Sequence, residues 1–199
     1  MLDSISLQRL SQVHPVLSAK VQRLAELLAK ESIEIRVTQA LRNYADQLKL
    51  WQKGRDEHGN IVDGSQIVTN AAPGHSWHEF GLAVDVCPFV GRSPDWNLNH
   101  PAWKRIVEVG ESLELFSGTQ FHSICDTPHF QLTGKFPASP NDEVRTLLRN
   151  EGIEAVWKAS GIAANLAVPL LSPISPYPRT NAIAGQNENT PDQYKRGLC

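Results

Sequence analysis

The stretch LAVDVCPF, residues 82–89, places one carboxylate, Asp85, inside an otherwise apolar run. A run this short and apolar, closed by Pro88, reads as a buried strand. A buried strand cannot carry a bare charge, because taking a carboxylate out of water without a partner costs several kcal/mol. The fold must therefore bring a cation to Asp85. The candidates are an arginine (Arg42 or Arg36) or a metal ion.

The segment just before the strand, SWHEFG, supplies His78 and Glu79. It begins like the helical HExxH zinc motif, whose two histidines share one face at i and i+4. Here the fifth position is Leu82 and Gly81 weakens a helix, so that reading fails. A zinc site needs three protein donors from N, O or S, with a fourth position open. His78 and Asp85 supply two of them if Gly81 turns the chain between them. The third can come from His14, His58, His75, His100, His122 or His129. The stretch CDTPHFQL stands out among these, because Asp126 precedes His129 by three residues and Pro128 prevents a regular helix. Such a bend can set His129 on a metal while Asp126 serves as the base for a nearby water.

Around this segment the chain alternates helical and extended patterns. Leu17, Val21, Leu24 and Leu28 repeat at helical spacing after Pro15, which suits a first turn. Ile33, Ile35 and Val37 alternate with Glu34 and Arg36 as a half-buried strand. RNYADQLKLWQKGR reads as a second helix stopped by Gly54, with Gln47 on its surface, and DEHGNIVDGSQ as a long polar loop. PAWKRIVEVGESL is a third helix, HFQL a short strand, and two further helical patterns follow from residue 138 onward. Residues 166–199 are rich in Pro, Asn, Gln, Ser and Thr without periodicity, the composition of a tail or linker. The expected architecture is α+β: a small antiparallel sheet carrying the metal site, packed against several helices, in a domain covering residues 1–165.

Composition narrows the function classes. A formal net charge of −2 without a basic run argues against nucleic acid as a partner. Three cysteines, Cys87, Cys125 and Cys199, are too few for a disulfide framework and lack CxxC spacing. Cys87 and Cys125 read as small buried hydrophobes. No stretch approaches the ~20 apolar residues of a membrane span, and the first fifteen residues do not have the pattern of a secretory leader. The expectation is a chain made in the cytoplasm without a signal peptide and without membrane insertion.

SWHEFGLAVD matches the pattern SxHxxGxAxD, and DTPH matches a DxxH element that follows it in order. Together they resemble the VanY-like D-alanyl-D-alanine carboxypeptidase and L-alanyl-D-glutamate peptidase family. RVTQALRNYADQLKLWQKGR and IVTNAAPGHS are similar to its phage endolysin and wall-peptidase branch, so the resemblance covers residues 8–135. It implies a zinc peptidase acting on peptidoglycan stem peptides, with Zn2+ on His78, Asp85 and His129. Asp126 is then the catalytic acid/base, and Arg42 stands near the substrate or the developing oxyanion. His75 and Glu79 are not ligands in that pattern. The endolysin-like stretch favours cleavage of the L-Ala–D-Glu bond; phage-type release to the wall and cytosolic recycling of wall fragments both fit the expected lack of a signal peptide. Removal of terminal D-Ala is the alternative, and a non-catalytic wall-binding module is the reading from another class.

Overall fold

The computed structural model describes residues 2–91, 93–122 and 125–163. The expected tail, residues 166–199, lies outside the described residues. Among these residues there are six α-helices and five short strands, and the α+β expectation is borne out. The strands are β1 (Ile35–Gln39), β2 (Ala83–Val90), β3 (Ser93–Pro94), β4 (Phe116–Ser117) and β5 (His129–Gln131). Their order is β1-β2-β5-β4, with β3 pairing the far end of β2, and every pairing is antiparallel.

The expected helices appear as α2 (Pro15–Ala29), α3 (Tyr44–Gln52), α4 (Pro101–Ser112), α5 (Asp142–Glu151) and α6 (Ile153–Ser160). Leu17, Val21, Leu24 and Leu28 of α2 are all fully buried. They meet Trp103, Ile106 and Val109 of α4 and Val84, Val86 and Phe130 of the sheet in one core. Truncating any of these leucines to alanine removes about 2–5 kcal/mol of stability by transfer and cavity terms. A second cluster joins Trp77, Phe80, Leu82 and Ala83 to Val144 of α5 and Val156 of α6. Side chains alternate across β2, so Val84 and Val86 enter the helix-side core, whereas Asp85 opens on the other face.

Two features depart from expectation. A helix, α1 (Ser4–Leu10), precedes α2 and was not foreseen, its seven residues being too few for a periodic signal. It protects the edge strand β1: Ser6 Oγ accepts from Val37 N at 3.0 Å, and Arg9 Nη1 donates to Val37 O at 2.7 Å. Arg36 pairs with Asp3, the N-cap of α1, which leaves it unavailable to Asp85. The second departure is that β2 passes through Pro88 instead of ending there. Phe89 N reaches β1 at Glu34 O, so the position of Pro88's missing N–H faces the other side. On that side β5 pairs only Ala83–Asp85, and beside β3 the Pro88 carbonyl accepts from Asp95 N at 2.8 Å while Cys87 Sγ lies 3.3 Å from Asp95 O.

Candidate metal centre

Three segments deliver the donors. His78 lies in a single 3-10 turn, Trp77–Phe80, that ends at Gly81. Gly81 has φ 63°, a left-handed conformation that most side chains resist, and it swings the chain directly into β2. Asp85 and His129 face each other as register partners of β2 and β5. As a result His78 Nε2 lies 3.1 Å and His129 Nδ1 3.3 Å from the same oxygen, Asp85 Oδ1. The two imidazoles meet edge to face at 5.1 Å. One donor atom from each of the three residues falls within 4.8 Å of the others.

The ring nitrogens not aimed at this cluster have their own partners. His78 Nδ1 lies 2.9 Å from Ala40 O, and a carbonyl can only accept, so that nitrogen carries the proton. His129 Nε2 lies 3.1 Å from Gln131 Oε1. Both inward nitrogens then present lone pairs, beside a carboxylate. Two imidazoles and one carboxylate, each oriented from behind, form a donor set suited to zinc.

Electrostatics support a cation there. Burial alone would raise the Asp85 carboxyl, but the adjoining His78 and His129 outweigh it and hold it well below the usual carboxylate range. Burial alone would lower His129, yet its hydrogen bond to Asp85 leaves it above the ordinary imidazole value.

Asp126 comes from a different kind of structure. It heads a tight turn closed by His129 N donating to Asp126 O at 3.0 Å, with Thr127 and Pro128 between. Its own N donates to Gly118 O at 3.1 Å. A Cβ at residue 118 would sit 2.3 Å from Asp126 O and 2.8 Å from His129 Cβ, so only glycine admits this approach. Burial raises the Asp126 carboxyl, and the charge of Asp85 raises it further.

Arg42 pairs with Asp85 and lines the cleft. Its Nη2 lies 3.7 Å from Asp85 Oδ2, and its backbone N donates to His78 O at 3.1 Å. Gln47, expected on the helix surface, is fully buried. Its Oε1 accepts from Arg42 Nη1 at 2.8 Å, and its Nε2 donates to Ala71 O at 2.7 Å. Gln47 thus braces Arg42 and fastens α3 to the segment before His78.

The other histidines are accounted for elsewhere. His14 and His100 cap the N-termini of α2 and α4 by accepting from Val16 N and Ala102 N. His58 sits in an exposed turn, and His75 is exposed with Nδ1 3.3 Å from Arg145 Nη1. His122 is exposed at the cleft edge. Glu79, beside the ligand candidate His78, turns away: both its oxygens accept from Gly74 N, at 2.8 and 2.9 Å, and one from Ser76 N. Cys87 is buried as expected, whereas Cys125 is half-buried on the cleft wall. The cleft above the donors has a volume of about 940 Å3. The segment Ile67–His78 and α3 contribute to its lining, as do Trp96, Phe116, Phe121 and the Asp126 turn.

The family described as VanY: D-alanyl-D-alanine carboxypeptidase matches residues 10–105. The peptidoglycan L-alanyl-D-glutamate endopeptidase CwlK of Bacillus subtilis (strain 168) is 27% identical over 133 residues, 61% of this chain and 74% of that protein. The chain is thus similar to VanY-like peptidoglycan peptidases over residues 10–105. Two solved structures are also similar to this chain. One is the L-Ala D-Glu endopeptidase ChiX of Serratia marcescens, 24% identical, with a TM-score of 0.48 over 67% of this chain and 90% of ChiX. The other is the vancomycin resistance D,D-pentapeptidase VanY of a VanB-type cassette, as its Zn(II) complex, 16% identical. Its TM-score is 0.49, over 72% of this chain and 83% of that one. Among the described residues no helix is long and apolar enough to cross a membrane.

Proposed function

We propose that this VanY-like chain is a zinc peptidase that hydrolyses the L-alanyl–D-glutamate bond of peptidoglycan stem peptides. The observation that carries this reading is the convergence of His78, Asp85 and His129 within 4.8 Å, with Asp126 beside them in one cleft. The relation to the endopeptidase CwlK favours that bond. Removal of terminal D-Ala is the second reading, favoured by the description of the matched family. The cleft volume speaks for the first, because a terminal dipeptide fills little of about 940 Å3 and an internal stretch of peptide fills more.

His78, Asp85 and His129 would hold the ion through Nε2, Oδ1 and Nδ1. The chemistry zinc supplies when bound is Lewis acidity toward a carbonyl and a lowered pKa for water. Asp126 accepts the proton of the attacking water and returns it to the departing amine. Its raised pKa makes it a stronger base than a solvated aspartate and a competent acid afterwards. Arg42, braced by Gln47, holds a fixed positive charge by the cleft floor, where negative charge on the carbonyl oxygen is stabilised.

Purified sacculi incubated with the protein, with and without a chelator, test both readings at once. New D-Glu amino termini that vanish with chelator support the endopeptidase. Free D-Ala instead would establish the carboxypeptidase. Sacculus binding without any cleavage would leave only a wall-binding module.

A further inference from the structure

Gln131 is 3% exposed on β5, two residues past His129, and both ends of its amide are engaged. Its Oε1 lies 3.1 Å from His129 Nε2, and its Nε2 donates to Ala138 O at 3.3 Å. Which way the amide points follows from chemistry: the Ala138 carbonyl can only accept, so the NH2 end must face it. The oxygen is then left for the imidazole, which must donate. The same Ala138 carbonyl accepts Trp77 Nε1–H at 2.9 Å. Trp77 is the residue before His78, and its ring stacks on Phe136 at 5.6 Å and 14°. One carbonyl therefore ties together the two segments that carry the histidines, the 3-10 turn and β5.

We propose that Gln131 is a positioning residue that fixes His129 as the Nε2–H tautomer, and that the Ala138 carbonyl is the anchor shared by both histidine-bearing segments. The inference rests on the zinc reading above and goes beyond it, because Gln131 touches neither ion nor substrate. Its consequence is that Nδ1 of His129 keeps an inward lone pair without a search among ring orientations. A glutamate at 131 retains an acceptor for Nε2–H, whereas a leucine of similar size retains none.

The test is zinc affinity by chelator competition on wild type, Gln131→Leu and Gln131→Glu, with melting of the zinc-free proteins as the folding control. Gln131→Leu is expected to weaken zinc by about 10–100-fold, the usual effect of removing an outer partner of a ligand histidine. Gln131→Glu should stay within about threefold of wild type, since the acceptor survives. Wild-type affinity in Gln131→Leu overturns the proposal, and a Glu variant as weak as the Leu variant overturns the tautomer assignment, because both variants lose the donor to Ala138 O and only the Glu keeps an acceptor for Nε2–H. Should Gln131→Leu fail to fold, the zinc-loaded wild-type protein still decides. Nitrogen-15 NMR should find the His129 ring proton on Nε2, and a proton on Nδ1 overturns the assignment. A folded wild-type protein that takes up no zinc would instead remove the zinc reading itself, and the bracket with it.

Discussion

Asp85 and Asp126 share one cleft, yet their surroundings push them in opposite directions. Asp85 sits mid-strand in β2, ringed by two imidazoles and a guanidinium, and stays ionised well below the usual range despite burial. Asp126 heads a turn held by backbone hydrogen bonds, and burial together with the charge of Asp85 raises it. Two carboxylates driven apart in this way suit different work under the proposed reading: one to hold a cation, the other to exchange a proton. The sheet supplies rigidity to the first. The turn puts the second on the cleft wall.

The largest effects should come from breaking the sheet side of this contrast. Asp85→Ala and His129→Ala each leave two donors, so the folded variants should lose most bound zinc by elemental analysis and cleavage with it. Asp126→Ala belongs to the other class: zinc should remain while turnover falls by about 10²–10⁴-fold, the usual range for a lost acid/base. Asp126→Asn should behave alike, because an amide orients water but cannot take its proton. Zinc lost from Asp126→Ala and kept by Asp85→Ala would reverse the two roles.

Acid should separate the regions further. His129 in the zinc-free protein holds its proton above the ordinary imidazole value, since its bond to Asp85 outweighs burial. A protonated imidazole cannot ligate, so proton and zinc compete, and affinity should weaken with falling pH from above about 6.5. Affinity unchanged between about pH 7.5 and about pH 6 would contradict this linkage. Asp126 adds to the same trend in catalysis, because a raised carboxyl is protonated, and idle as a base, at higher pH than a solvated aspartate.

A smaller effect is expected on the wall that carries Arg42. Gln47→Leu removes the acceptor for Arg42 Nη1 and leaves Ala71 O without its donor. Leaving such a buried carbonyl unpaired costs about 1–3 kcal/mol, visible as a lower melting temperature with zinc content retained. An unchanged melting temperature would show that the brace is dispensable.

The residues that proved hardest to read from sequence are these braces. The helices α2 and α4 were legible because their apolar residues recur at helical spacing, and β1 because it alternates. The proposed ligand set was not legible from chemistry alone, which left six histidines open; it rests on the paired patterns around His78 and Asp126. Gln47 and Gln131 carried no signal at all, since their partners include the carbonyls of Ala71 and Ala138, and a carbonyl has no residue identity. A burial pattern could have flagged Gln47 only if its helix had an apolar stripe, and α3 buries nothing else completely. Pro88 misled for a related reason: its cost depends on whether a neighbouring strand needs its N–H, and that is a property of the sheet.

The smallest expected effect tests the glutamate next to His78, and it sharpens the contrast between groups that look alike in sequence. In a helical HExxH enzyme the glutamate is the base, and its amide should be nearly inactive. Here Glu79 points at Gly74 N and Ser76 N and shapes the loop leading to His78. Burial is the main influence on its carboxyl and raises it above the ordinary value. The fold thus favours the neutral form: the associated stability is full below the unfolded pKa and declines as pH rises through the folded one. A neutral glutamine forfeits no charge the fold needs, and its single oxygen can still accept from both Gly74 N and Ser76 N. Glu79→Gln should therefore keep zinc, change stability by no more than about 1 kcal/mol, and cleave within a few-fold of wild type at neutral pH. A loss of about a hundredfold or more with zinc retained, of the order seen on removing an acid/base, would move the base from Asp126 to Glu79.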